Sequence, residues 1–259
     1  MSAEHPDPVD AAVLAEALAG TGLGPVEWRP RIGSTNETLA RAARAGAPEG
    51  AVLGADHQTA GRGRRGRAWV DRPGAALAVS VLLRPPPSGL DARTLPIVAG
   101  VAVARAVGAS ATLAWPNDVL LEGAKVAGIL VEAGSSGGPI EWAVVGVGVN
   151  VRGRPDVEAA GWPPGALDAA GPPPARQELA ARVLRELWSA YEEWRERGPA
   201  AALAEWEARD GLRGRELRVL AGGEEVVGTG GGLDEGGRLL ILGAAGPVAL
   251  ERVEAVRLA

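Results

Sequence analysis

The nine residues Ala75–Leu83 read AALAVSVLL and are bounded by Gly74 and by Pro85, Pro86 and Pro87. An apolar run of this length with no alternation describes a strand covered on both faces. Covering it takes helices on each side, and the flanking sequence supplies them. Residues 9–19 carry helical apolar spacing and stop at Gly20. Ser34-Thr35-Asn36 offers an N-cap to ETLARAARAG, which ends at Gly46. Thr94–Val107 reads as a buried helix. In 176–197, Leu179, Val183, Leu187, Tyr191 and Trp194 recur at three- or four-residue steps. A further helix over 199–208 starts at Pro199. Strand texture appears at 26–32, Val52–Ala55, 112–115, 126–132 and 140–149, with hairpin-like neighbours at 118–132 and 140–149. The expected class is α/β (α+β), a mixed sheet covered by helices.

Residues 152–175, rich in Gly and Pro, read as a long loop. Beyond Gly211 the texture changes to short β-type runs between Gly-rich turns, the mark of a small all-β barrel. The expected division is 1–210 and 211–259.

Composition narrows the chemistry. Of 259 residues, 46 % are hydrophobic and 23 % charged, ample for a core. The net charge of −5 excludes a uniformly basic nucleic-acid coat but not a local basic patch. With no cysteine there is no disulfide, thiolate metal site or cysteine nucleophile. The two histidines, His5 in a polar tail and His57, are too few for a His-rich metal site and leave little for a Ser-His-Asp triad. No stretch of ~18 apolar residues occurs, and MSAEHPDPVD lacks the parts of a secretory signal, so a soluble cytoplasmic protein is expected.

Residues 61–67 read GRGRRGR. Gly61, Gly63 and Gly66 have dinucleotide-fingerprint spacing. No helix follows, however, and no acidic residue stands ~20 positions on, so the Rossmann reading fails, and Gly-Lys-Ser/Thr of a Walker A loop is absent. Four arginines (Arg62, Arg64, Arg65, Arg67) crowded together repel one another unless an anion neutralises them. The glycines let backbone N–H groups approach a ligand. The segment therefore suits a loop that orders around a phosphate or carboxylate. A solvated basic loop or an arginine-glycine nucleic-acid contact is the competing reading. Residues 115–132 hold Lys125, the one lysine of the chain, between a turn and an apolar strand. In a chain that otherwise uses arginine, its compact ammonium stands out, although a chance surface lysine has the same look. Asn117 and Asp118 have turn composition. The segment GVGVN (146–150) is a strand end where a ligand could approach the sheet.

These segments together resemble the biotin protein ligases over roughly residues 30–258. The resemblance rests on Ser34-Thr35-Asn36, on His57–Ala60 leading into the arginine loop and Trp69, and on Trp115-Pro116-Asn117-Asp118. It extends to Lys125 with Ala127–Glu132, and to Gly146–Asn150. It implies ATP-dependent activation of biotin to biotinoyl-5′-AMP, then transfer to a lysine of a carboxylase biotin carrier domain. It also implies that the terminal β region is an SH3-like barrel. By the resemblance, Ser34, Thr35, Asn36 and Gln58 lie in the biotin pocket, with Gly61, Arg62, Gly63 and Arg64 lining the same site. Trp69 forms an apolar wall, and Gly128 lets the strand lie under the bicyclic ring. Lys125 and Arg64 stabilise charge in the reaction. Arg62, Arg64, Arg65, Asn117, Lys125 and Asn150 meet the nucleotide, Trp162 stacks on adenine and Arg257 closes that end. Asp118 positions Mg²⁺.

Two departures stand out. Ala114 occupies the place where the family has a lysine before Trp-Pro-Asn-Asp, which implies one cation fewer near the nucleotide. The residues before Ser34 are acidic and hold one helix, too little for a recognition helix and its support, so no DNA binding is expected. The carrier domain, biotin and ATP are the expected partners, with no membrane, and a weak homodimer stays open. Lipoate ligation by the same acyl-adenylate chemistry is the alternative, and a nucleic-acid module using residues 62–67 is the second.

Overall fold

The computed structural model describes residues 7–86, 92–157, 161–244 and 246–259. His5 and Pro87 lie outside the described residues. The fold is a seven-stranded mixed sheet with helices on both faces, followed by a five-stranded antiparallel sheet.

The first sheet has the order β1 (Val26–Arg29), β2 (Val52–Ala55), β3 (Ala76–Leu83), β7 (Trp142–Asn150), β6 (Ala124–Gly134), β5 (Asp118–Leu121), β4 (Thr112–Ala114). Only β1 and β2 pair in parallel. β3 is central and buried at all eight residues, as its unbroken apolar run requires. Its odd positions, Leu77, Val79, Val81 and Leu83, enter the main core. There α4 (Arg176–Arg197) packs on β3 and α3 (Leu95–Val107) on β6 and β7, with α1 (Ala11–Ala17) and α5 (Ala200–Arg209) alongside. The other face carries α2 (Thr35–Arg44), whose Leu39, Ala40 and Ala43 pack with Leu53, Leu82 and Val144. α2 covers only part of that face. Beyond its N-terminus, β6 and β7 present Gly128, Gly146 and Gly148 in place of side chains, and the candidate site stands there.

Arg176, expected only as the start of an amphipathic helix, is fully buried. Its guanidinium donates to Asp56 Oδ1 at 2.7 Å, to the Asp7 carbonyl at 2.6 and 2.9 Å, and to the Ala76 carbonyl at 3.2 Å. It ties the chain's start, β2 and β3 to α4, and a buried guanidinium is tolerable only with such a set of acceptors.

The second sheet runs β11 (Gly246–Leu250), β10 (Leu239–Gly243), β9 (Glu224–Leu233), β8 (Glu216–Ala221), β12 (Ala255–Leu258). All its pairings are antiparallel and β11 and β12 are its edges. The expected strand at 112–115 proves to be the first of two: Asp118 opens β5, pairing on both sides, rather than sitting in a turn. Lys125 is the second residue of β6, just after the turn at Glu122-Gly123 and at the start of the apolar strand, as expected. No helix among the described residues is long and apolar enough to cross a membrane.

Candidate active site

A cavity of about 400 Å³ opens on the α2 face of the sheet, between the α2 N-terminus, the arginine loop and residues Val253–Val256, which lead into and begin β12. One end is neutral and polar. Ser34 caps α2 with a weak bond from Glu37 N at 3.4 Å, which fixes Thr35 and Asn36 as the first helical residues. Gln58 Oε1 accepts from Thr35 N at 2.8 Å and stands 3.1 Å from Thr35 Oγ1. Ser80 of β3, fully buried, lies 2.8 Å from Thr35 Oγ1 and 2.6 Å from Asn36 Oδ1. Asn36 Nδ2 donates to the Leu130 carbonyl and to Glu132 Oε2, each at 3.1 Å. Asn36 lines the cavity, yet its amide is spent on the sheet.

The other end is charged. Lys125 Nζ lies 2.6 Å from Asp118 Oδ1. Arg64 donates to Asn117 Oδ1 at 3.3 Å, and Asn117 Nδ2 is held by the Ile129 carbonyl at 3.0 Å. Burial pulls the Arg64 guanidinium below its ordinary value; the Asp118 carboxylate opposes that, and Arg65 and Arg67 add to it. Asn150, expected to face nucleotide, gives Nδ2 to the Gly165 carbonyl at 2.8 Å. Lys125 N and the Lys125 carbonyl pair with Pro163 and Gly165, so the segment bearing Trp162 is strapped to β6 beside Lys125.

The loop is built from these contacts. Arg62 pairs with Glu132 at 3.1 Å, Arg65 with Glu254 at 2.7 Å, and Arg67 donates to the Glu254 carbonyl at 2.8 Å. Gly63 lines the cavity; Gly61 does not, packing instead on the Trp69 carbonyl, where a Cβ would stand 2.4 Å away. The loop's base is closed by His57 Nδ1 and Asp71 Oδ1, 2.6 Å apart. Burial pushes the Asp71 carboxyl up, against the pull of His57 and of the Gln58 N–H.

Trp69 lies flat on the sheet. A Cβ at Gly148 would fall 2.4 Å from its ring, and one at Gly128 would be 3.3 Å from both the ring and the Lys125 stem. At Gly146 a Cβ would stand 2.0 Å from Asn36 Oδ1. The glycines expected to admit a ligand are thus filled first by the protein's own side chains. Trp162 lines the cavity, whereas Arg257 is exposed and lines, with Arg215, a separate depression that shares Trp162 with it. Ala114 is fully buried in the main core and is not in the cavity wall. Among the described residues no group of three or more His, Cys, Asp or Glu could hold a metal ion. Sequence reasoning missed Ser80, Asp71, Glu132 as a partner of Asn36, and Glu254, since each belongs to an ordinary-looking strand or connection.

Residues 28–150 match the biotin/lipoate A/B protein ligase family. The biotin–[acetyl-CoA-carboxylase] ligase of Mycobacterium tuberculosis is 39 % identical over 249 residues, 90 % of each chain. The chain belongs to the biotin protein ligase family. The bifunctional ligase/repressor of Escherichia coli is 35 % identical over 244 residues, 91 % of this chain and 75 % of that one. Among solved structures, a biotin protein ligase from Aquifex aeolicus in complex with biotin and ATP superposes with a TM-score of 0.78 at 29 % identity, covering 90 % of this chain and 98 % of that one.

Proposed function

We propose that this chain is a biotin protein ligase: it joins biotin to ATP, giving biotinoyl-5′-AMP and pyrophosphate, and passes the biotinoyl group to a lysine of a carboxylase carrier domain. The observation that carries the reading is one cavity with two unlike ends. Hydroxyls and amides (Thr35, Gln58) stand at one end, and Lys125 and Arg64 at the other. A cyclic urea with an acidic tail fits the first end, and its carboxylate reaches the second.

Bringing a carboxylate to a polyphosphate sets anion against anion. Lys125 and Arg64 offset that repulsion and hold the charge that builds on the α-phosphate as the carboxylate oxygen bonds to phosphorus and pyrophosphate leaves. In the second step an acceptor amine attacks the acyl carbon and AMP departs. Asn117 and Asn150 shape the nucleotide end by holding Arg64 and the Trp162 strap in place. Ser34, Arg62, Gly63 and Trp69 form the wall around biotin, and Trp162 offers a face to adenine. The loop 61–67, tied to Glu254, covers the reactive anhydride and keeps water from it. Arg65 and the exposed Arg257 reach the nucleotide once phosphates draw them in.

Asp118 is already paired with Lys125 and is a lone carboxylate, which does not make a resident Mg²⁺ site. Magnesium enters on the phosphates of its ATP complex, as part of the substrate. The same reading makes 1–210 the catalytic unit and 211–259 a small SH3-like barrel that closes over it, in a cytoplasmic enzyme.

Lipoate would leave the Thr35 and Gln58 groups facing a dithiolane that has no donor. A nucleic-acid module would need free arginines, whereas Arg62 and Arg65 are held by carboxylates. ATP–pyrophosphate exchange with biotin, with lipoate and with neither is the test. Exchange that requires biotin is expected. Exchange with lipoate alone would move the chain to the sister activity, and none with either would overturn the adenylation reading.

A further inference from the structure

The hydrogen bonds beneath Thr35 run in a single direction. Asn36 Nδ2 faces the Leu130 carbonyl and Glu132 Oε2, both of which only accept. The amide cannot be turned round, so Oδ1 is the atom 2.6 Å from Ser80 Oγ. Ser80 has one proton, and it goes to Oδ1. Ser80 Oγ also stands 2.8 Å from Thr35 Oγ1, and with its proton spent only Thr35 can donate across that contact. The Thr35 proton therefore points down into the sheet and its lone pairs face the cavity. Gln58 is fixed as well: Oε1 takes the Thr35 N–H, which leaves the two Nε2 protons for a ligand. The 3.1 Å approach of Thr35 Oγ1 to Gln58 Oε1 is the longer of the two contacts that compete for that hydroxyl's proton, so the proton is assigned to the shorter one, toward Ser80. Ser80, Thr35 and Asn36 are all buried, and the other Glu132 oxygen is held by Arg62.

We propose that Ser80, Asn36 and Glu132 are positioning residues that set the polarity of the ligand pocket, making Thr35 Oγ1 an obligate acceptor and Gln58 Nε2 an obligate donor. The inference rests on the biotin reading above and deepens it. A cyclic urea, a carbonyl flanked by N–H groups, presents the matching donor and acceptor side by side. A dithiolane ring presents no donor, so the buried Thr35 lone pairs would stay unpaired.

The test is calorimetric binding of biotin and of its two cyclic carbamates, in each of which one ring N–H is replaced by oxygen. In the native protein at least one carbamate binds about tenfold or more weakly than biotin, because two acceptors then face each other in a buried site. Ser80→Ala removes the acceptor that holds the Thr35 proton in the sheet, and the proton then turns to the carbamate's ring oxygen in preference to Gln58 Oε1, which already takes the Thr35 N–H. That carbamate's penalty then falls to within about threefold, while biotin affinity changes by no more than about threefold. A merely structural role for Ser80 would weaken both ligands alike and leave their ratio unchanged. An unchanged ratio in folded Ser80→Ala protein therefore overturns the proposal. Thr35→Val, which does not depend on Ser80, removes the acceptor and should equalise the two ligands. An unchanged ratio there overturns the proposal too. Failure of the native protein to bind biotin at all is a different result, and it would sink the ligand assignment itself.

Discussion

Lys125→Met is the substitution that bears most directly on the chemistry. It removes the ammonium but keeps a stem of similar length over Gly128, where the lysine Cε lies 3.3 Å from the position a Cβ would take. The Lys125–Asp118 pair is partly exposed, 31 % and 19 % at the side chains, so its loss should cost no more than about 1 kcal/mol of stability. The kinetic effect is expected to be far larger. Loss of one preorganised group facing transition-state charge slows a reaction by about 10²–10³-fold. In addition, Asp118 is left uncompensated. A carboxylate ~6 Å from a phosphate at an effective dielectric constant of ~20 repels it by about 3 kcal/mol. Adding Asp118→Asn to Lys125→Met should therefore restore about tenfold or more of the lost rate. The assay is biotin-dependent ATP–pyrophosphate exchange at saturating substrates, with biotin affinity and melting temperature measured on the same proteins. The reasoning is refuted if biotin affinity collapses while the saturated rate survives, or if Asp118→Asn slows the Lys125→Met enzyme further.

Gly148→Ala should weaken biotin binding and lower the melting temperature, since the new Cβ would stand 2.4 Å from the rigid Trp69 ring and overpacking costs about 1–3 kcal/mol. Gly138→Ala, which meets nothing within 4 Å, is the control that should change neither. Arg176→Met takes the guanidinium from Asp56, which keeps the Trp28 Nε1–H, and unpairs two backbone carbonyls, a loss of about 3 kcal/mol that should appear as a fall of roughly 10 °C in melting temperature. An unchanged melting curve would show that Asp56 finds another partner. Burial holds the Asp71 carboxyl above its ordinary value of 3.8, so the folded chain binds that proton more tightly than the unfolded chain. The associated stability is present below pH 3.8 and is lost as pH rises through the folded value. Asp71→Asn should flatten the dependence of the urea midpoint on pH above that point, and identical slopes in the two proteins would clear Asp71 as its source.

What the sequence disclosed depended on whether a signal was local. The period of Leu179, Val183, Leu187, Tyr191 and Trp194 runs the length of α4, and the helix stops at Gly198, which has φ +79°. The four residues of β2 were likewise plain from their apolar run between turns. β5 escaped because Asn117-Asp118 has turn composition while the hairpin turn itself lies at Glu122-Gly123, both with positive φ. Pairing with β4 and β6 decided the strand, and no four-residue window contains that information. Lys125 was legible as a lone lysine among arginines. Ser80 and Arg176 were not, since a buried polar residue inside an apolar or amphipathic run has no period of its own. The Gly146-Val147-Gly148 texture reads as room for a ligand. The structure gives that room to Asn36 and Trp69, which come from segments far off in sequence.

The arginine loop shows how the two kinds of information combine. Four guanidinium groups within six residues repel one another, and composition alone demands anions. The fold supplies carboxylates to Arg62 and Arg65, and a backbone carbonyl to Arg67. Arg64 donates instead to the neutral Asn117 oxygen, and burial disfavours its charge against the pull of Asp118. Together with Lys125 it outweighs Asp118 by one positive charge at the end of the cavity where the substrate phosphates must come. An anion bound there relieves a cost the free protein already carries. The free energy of binding that anion therefore includes the neutralisation of Arg64, which a fully paired loop could not contribute. For that reason Arg64→Lys would not be conservative: an ammonium loses the planar fork that can hold Asn117 and a phosphate oxygen together.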